Sequence, residues 1–289
     1  MTELFGSNIF GNNVEKINKQ KLEKTPRQLK LFGEKSIDLY LKNFSISGNE
    51  NIEKVKEIKE NNPEEKFIIS ASHLHNLDAP AVLKVFSNIF NIQLTEESVL
   101  LKKLKYLQPN ILITLGNRQN FTPLDYKEKD KNKHGVFNPE NFIELEEKME
   151  EGKTPWIAAH PFSLDGKMKK SSIGPVYLAS KTGASIIPTA LEITGGSVNQ
   201  EGVKENIKAL KNRGDGIYHI GSPIKLPSID VSIIDEVLRK KSQNNEITEE
   251  KLLKFAETHK QLREQADVLA SHISLLLPEE KRGYYIDKK

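Results

Sequence analysis

Apolar positions along the chain follow two rhythms, short solid runs and longer stretches at helical spacing. Phe67, Ile68 and Ile69, followed by the small Ser70 and Ala71, form a run that predicts a buried strand reaching a sheet edge. Beyond it Val82, Leu83, Val85, Phe86, Ile89 and Phe90 recur at helical intervals, so the pattern predicts a helix over 79–90 beginning just after Asp78. Further strands are predicted at 110–114 (NILIT), 154–159 around Trp156, 185–193 (SIIPTALEI) and 216–224. Helices are predicted at 141–151, at 176–181 with Gly183 as its stop, and at 248–277. Pro188 inside the 185–193 run predicts an edge position or a bulge, because proline has no N–H for a ladder.

The chain before 61 reads differently. Residues 1–12 are rich in Gly and Asn and predict a loose start. Residues 14–44 are charged and helical in tendency, broken at Thr25-Pro26 and Gly33, and 51–61 has the composition of another helix closed by Pro63. The expected organisation is an N-terminal helical region, 1–60, packing on a main domain, 61–289. Within the main domain, 122–138 is polar and predicts a surface excursion. Strands alternating with helices predict an α/β fold: a mixed, partly parallel sheet flanked by helices, with the N-terminal helical region appended. Ligands of such sheets bind beyond the carboxyl ends of the strands. His73, Arg118 and His160 each follow a predicted strand and are therefore expected to converge.

Composition narrows the chemistry. Charged residues make up 29% of the chain, and mean hydropathy is −0.53. No apolar run approaches the ~18 to 20 residues of a membrane span, and no signal-peptide core opens the sequence, so a cytoplasmic protein is expected. The absence of cysteine excludes disulfides, thiolate nucleophiles and Cys-based metal sites. A net charge of +3 makes no case for nucleic acid. Basic residues at 102–105 and 167–170 are solvated by default, and a membrane-facing patch is the alternative.

His73 and Asp78 fall on one tight turn between a strand and a helix. A neutral imidazole there can take a proton from a hydroxyl while the carboxylate fixes its tautomer, a general-base role worth ~10² to 10⁴ in rate. No nucleophilic Ser or Cys is needed if the substrate brings the hydroxyl. The plainer alternative is a turn histidine beside a helix-capping aspartate, and Asp78 can fill both roles. His73-Leu74-His75 also resembles the H-x-H of metal-dependent hydrolases, with further ligands sought among His134, His160 and His219. Leu77 stands where the metallo-β-lactamase version has its Asp.

In chain order the motifs resemble one family. Ser72-His73 with Asp78 and Pro80 is similar to the N-H-x-x-x-x-D motif of the glycerol-3-phosphate and lysophosphatidate acyltransferases. NILITLGNR resembles that family's second block, with Arg118 in the basic position. Residues 156–166 resemble the third, ending in Ser163, Asp165 and Gly166, and IGPVYLASKTGASIIPTAL resembles the fourth, with Pro188 at its proline. These blocks cover roughly 65–225, and the Trp156-Ile157-Ala158 run is most similar to the soluble plastid-type branch.

The resemblance implies transfer of a fatty acyl group from acyl-CoA or acyl-carrier protein to a hydroxyl of glycerol-3-phosphate or a lysophospholipid. His73 would be general base with Asp78 behind it, while Arg118, His160, Ser163, Lys167 and Lys170 would contact substrate. It implies no metal and no cofactor beyond the acyl donor, and peripheral contact with a membrane face. One departure stands out: where most members carry Pro-Glu-Gly, this chain has Ala158-Ala159-His160, and the loop lacks the arginines of the plastid-type branch. Either Lys167, Lys169 and Lys170 supply the positive charge, or the acceptor is no phosphate ester, or activity is impaired. A non-catalytic protein of this fold that binds lipid or a partner is therefore the competing expectation.

Overall fold

The computed structural model describes residues 25–97, 121–124, 140–163, 165–195, 211–243 and 245–287. Helix α1 (Arg27–Tyr40) runs into strand β1 (Leu41–Ser47) and helix α2 (Asn49–Asn61), after which β2 (Phe67–Ala71) leads into α3 (Asp78–Phe86). Then come β3 (Asn91–Glu97), β4 (Phe121–Leu124), α4 (Glu140–Glu150) and β5 (Lys153–Ala158). Helix α5 (Gly174–Thr182), strands β6 (Ser185–Thr194) and β7 (Gly214–Ile220), and helices α6 (Ser232–Ser242) and α7 (Glu249–Ser274) follow, with 3-10 turns at Glu279–Lys281 and Gly283–Tyr285.

The strands form one seven-stranded sheet in the order β1-β7-β6-β2-β5-β3-β4. Neighbours are parallel except β6 and β7, which pair antiparallel, so β1 and β7 run against the other five. This is the expected mixed, partly parallel sheet flanked by helices. Strand β2 lies in the interior between β6 and β5, and all five of its residues are buried. Successive side chains of a strand point to opposite faces, so β2 feeds two cores. Ile68 joins Ile157, Ile186, Val176, Tyr177, Leu262 and Leu269 on one side. Phe67 and Ile69 join Leu29, Ile37, Val55, Val82, Phe86 and Trp156 on the other. Burial on both faces is why this strand reads as an unbroken apolar run, and each such side chain contributes on the order of 1.5–3 kcal/mol.

The helix that follows β2 is held close. A Cβ on Gly33 of α1 would lie 2.7 Å from Leu83 Cβ and 2.8 Å from Pro80 O, so only glycine lets α1 approach α3 to this distance. Gly183 closes α5 as expected, with φ of 67° and its N–H on Ala179 O at 2.8 Å.

Two expectations need correction. Pro188 does not sit on an edge strand, because β6 is flanked by β2 and β7. The other alternative, a bulge, fits the pairing: β7 ends at Ile220, opposite Thr189, and the chain rejoins β6 at the Ile186–Ile224 bridge, so that 221–223 stand against 187–188. Pro188 O accepts the Gly221 N–H at 2.8 Å, so the proline's imino nitrogen faces this gap in the ladder, where no donor is needed. The second correction concerns 41–47, expected to continue a helical region. It is β1, paired with β7 at the sheet edge, and its alternating exposure leaves too few apolar residues to betray a strand. Strands β3 and β4 were likewise not expected. The predicted strand at 110–114 lies outside the described residues. Among the described residues no helix is long and apolar enough to cross a membrane.

Candidate active site

The carboxyl end of β2 releases the chain into a turn that doubles back before α3. Asp78 N–H donates to His75 O at 3.1 Å, and His75 N–H donates to Asp78 Oδ2 at 2.9 Å, a reciprocal pair that makes the turn rigid. The same Oδ2 lies 3.2 Å from His73 Nδ1. Asp78 is buried, its side chain only 2% exposed, whereas the His73 side chain is 28% exposed. With Nδ1–H donating to the carboxylate, Nε2 carries the free lone pair on a ring that solvent can reach. His75, in contrast, is buried.

Two aromatic rings confine the imidazole. Trp156 of β5 meets it edge-on at 5.7 Å between centroids, and Phe162 does so at 5.0 Å. Strand pairing sets this, since β2 and β5 are parallel neighbours and Ile69 is level with Trp156.

The loop after β5 is stitched to the His73 turn. Ala159 N–H donates to Ala71 O at 2.8 Å, Ser163 N–H to His73 O at 3.0 Å, and His73 N–H to His160 Nε2 at 3.2 Å. His160 is 1% exposed, and its Nδ1 lies 2.7 Å from Pro161 O. A ring nitrogen facing a carbonyl must carry the proton, so Nε2 is the acceptor and His160 is neutral. Burial pushes its pKa down to about 4; the nearby His73 and Lys169 add to this, and the Pro161 carbonyl and Asp78 oppose it. Both ring nitrogens are thus engaged, Nδ1 within its own loop and Nε2 on the His73 turn.

Ser163 is buried, with Oγ 2.5 Å from Asp165 Oδ1 and 2.6 Å from Lys167 O, and it accepts the Lys167 N–H at 3.2 Å. Its hydroxyl closes the turn that carries the lysines. Lys169 pairs with Asp165 at 2.5 Å, and together with Ser163 holds that carboxyl well below the usual range. Lys167 and Lys170 are exposed and, among the described residues, have no carboxylate partner. The C-terminal turns clamp the loop from outside: Met168 N–H donates to Lys281 O at 2.9 Å and Tyr284 N–H to Met168 O at 3.0 Å. Ala159, which stands where most members of the resembled family carry a glutamate, is buried in the core.

His73, Asp78, His160 and Ser163 are therefore brought together at the ends of β2 and β5, with Lys167 and Lys170 on the same loop. Arg118, the lysines at 102–105 and His134 lie outside the described residues. Among the described residues no three His, Asp or Glu side chains converge as a metal site would require. Sequence reasoning did not foresee Phe162 against His73, nor the main-chain bond from His73 to His160. The first follows from adjacency to His160; the second depends on a rotamer and leaves no trace in spacing.

No protein-family model and no curated protein sequence matches the chain. Among solved structures it is similar to the 1-acyl-sn-glycerophosphate (LPA) acyltransferase PlsC from Thermotoga maritima, with a TM-score of 0.48 and 16% identity over 90% of this chain and 84% of that one.

Proposed function

We propose that the protein is an O-acyltransferase that moves a fatty acyl group from an acyl thioester, on CoA or on acyl-carrier protein, to a hydroxyl of glycerol-3-phosphate or a lysophospholipid. The observation that carries the reading is the pairing of a partly open His73 ring with the buried Asp78 at the end of a central strand, Nδ1 to Oδ2 at 3.2 Å. His73 Nε2 takes the proton of the acceptor hydroxyl as its oxygen attacks the thioester carbonyl. Asp78 keeps the proton on Nδ1 and stabilises the imidazolium that forms. Collapse of the tetrahedral intermediate breaks the C–S bond, and the imidazolium returns its proton to the departing thiolate. Trp156 and Phe162 beside the ring keep the surroundings apolar, which strengthens the interaction between imidazolium and carboxylate.

Lys167, Lys170 and Arg118 are the cations we assign to the acceptor's phosphate, in place of the arginines that this chain lacks in the loop. A phosphate held by such groups brings the hydroxyl to the base and converts an encounter into an oriented complex. Because Ala159 offers no carboxylate, a non-catalytic lipid-binding role is the second reading.

One experiment separates the two. Acyl-CoA is supplied with glycerol-3-phosphate or with lysophosphatidate, and product is compared between the wild type and His73→Ala. Transfer that is lost in the variant supports the base. Transfer that survives it refutes the mechanism, and saturable lysophospholipid binding without any transfer selects the second reading.

A further inference from the structure

His73 is tied down through its main chain as well as its side chain. Its carbonyl accepts the Ser163 N–H at 3.0 Å, and its N–H donates to His160 Nε2 at 3.2 Å. Both partners belong to the loop after β5, so the residue is suspended between two strands that adjoin in the sheet. The His160 bond exists only for one chemical form of the ring. Nδ1 must carry a proton for the Pro161 carbonyl, 2.7 Å away, and Nε2 must keep its lone pair for the amide. A cationic ring would turn an N–H toward an N–H.

We propose that His160 is the positioning residue of His73: as a neutral imidazole protonated on Nδ1, it accepts the main-chain N–H of His73 and fixes where that side chain departs from the backbone. The assignment rests on His73 being the base of the proposed transfer. It gives His160 a role through another residue, without contact to substrate, in keeping with an exposure of 1%. The low pKa follows from the same surroundings, since burial and the neighbouring His73 and Lys169 all favour the uncharged ring. Side-chain placement matters steeply for a base, because a displacement of about 1 Å can cost on the order of a hundredfold in rate.

Chemistry chooses the variants. In His160→Gln the amide oxygen reaches about as far as Nε2 and can accept the same N–H. In His160→Leu the space is filled with no acceptor, and a buried donor is left unsatisfied. Amide hydrogen exchange at His73 is measured by NMR in the wild type and both variants, the ring nitrogens of His160 are assigned from their ¹⁵N shifts, and acyl transfer is followed with acyl-CoA and glycerol-3-phosphate.

Wild type and His160→Gln should protect the His73 amide, and His160→Leu should exchange it at least about tenfold faster, the loss of one main-chain hydrogen bond. Its kcat should fall by about ten- to a hundredfold with KM little changed, and His160→Gln should recover most of the loss. Equal protection in wild type and His160→Leu overturns the proposal. So does a wild-type ring with its proton on Nε2, a measurement that decides the matter even if the leucine variant does not fold. A wild type inert toward every acceptor refutes the proposed function instead, and the exchange rates and ring tautomer still decide the His160 contact.

Discussion

Trp156 stands edge-on to the His73 ring, 5.7 Å between centroids at an interplanar angle of 83°, and it is the chain's single tryptophan. Indole emission responds to the groups packed against the ring. The chain therefore carries its own reporter beside the candidate base. At constant pH, His73→Ala should change the intensity and the wavelength of that emission. An emission spectrum identical to that of the wild type would mean that the two rings are not neighbours in solution.

Asp78 sets the His73 tautomer, and its amide analogue tests that role without emptying the site. Asp78→Asn can still accept the His75 N–H through its oxygen, so the turn should persist, judged by an unchanged circular dichroism spectrum. Transfer should fall by about 10²- to 10⁴-fold in kcat, because the amide no longer stabilises an imidazolium. A loss of less than about threefold would remove Asp78 from the mechanism.

Buried neutral His160 makes stability depend on pH with a definite sign. Its folded pKa, about 4, lies below the unfolded value of 6.5, so the unfolded chain binds more protons between the two. The contribution is complete above about pH 6.5 and drains away as pH falls toward about 4, reaching roughly 3 kcal/mol at most. Urea unfolding at several pH values should show this slope in the wild type and a shallower one in His160→Gln. Parallel slopes would show that His160 is not buried as described.

The lysines of the loop divide by their partners. Lys169 is paired with Asp165, whereas Lys167 and Lys170 are exposed without such a partner among the described residues. Replacing both of the latter by alanine should raise KM for glycerol-3-phosphate severalfold and leave kcat nearly alone, as expected of a charge remote from the reacting carbonyl. An unchanged KM would place the phosphate elsewhere.

Gly283 tests the clamp on that loop. Its φ is 50°, and a Cβ there would lie 2.3 Å from Met168 O, the acceptor of the Tyr284 N–H. Gly283→Ala should destabilise the protein by roughly 1–3 kcal/mol, measured by chemical denaturation. Unaltered stability would show that the C-terminal turns do not hold the loop.

Much of this was legible in the residues, for physical reasons. β2 announces itself because both its faces are buried, and α3 because apolar residues line the side it turns to the sheet. The His73–Asp78 pairing could be read because a turn bounded by a strand and a helix leaves little freedom. β1 stayed hidden since an edge strand needs few apolar residues, and Leu39 and Leu41 suit a helix equally well. Pro188 marked an irregularity without deciding between an edge and a bulge: sequence displays the missing donor of one strand and says nothing of where its neighbour breaks off. The bond from His160 to the His73 amide was invisible because a main-chain donor has no letter of its own.

β2 carries the candidate base, yet both strands beside it in the sheet, β5 and β6, come later in the chain. During synthesis on the ribosome the His73 turn must therefore wait, unsupported, for its neighbours. Only when the β5 loop has docked can Ser163 and His160 take hold of it. A nascent or prematurely truncated polypeptide that already contains the histidine and the aspartate would on this account be chemically idle, and activity would arrive late and all at once.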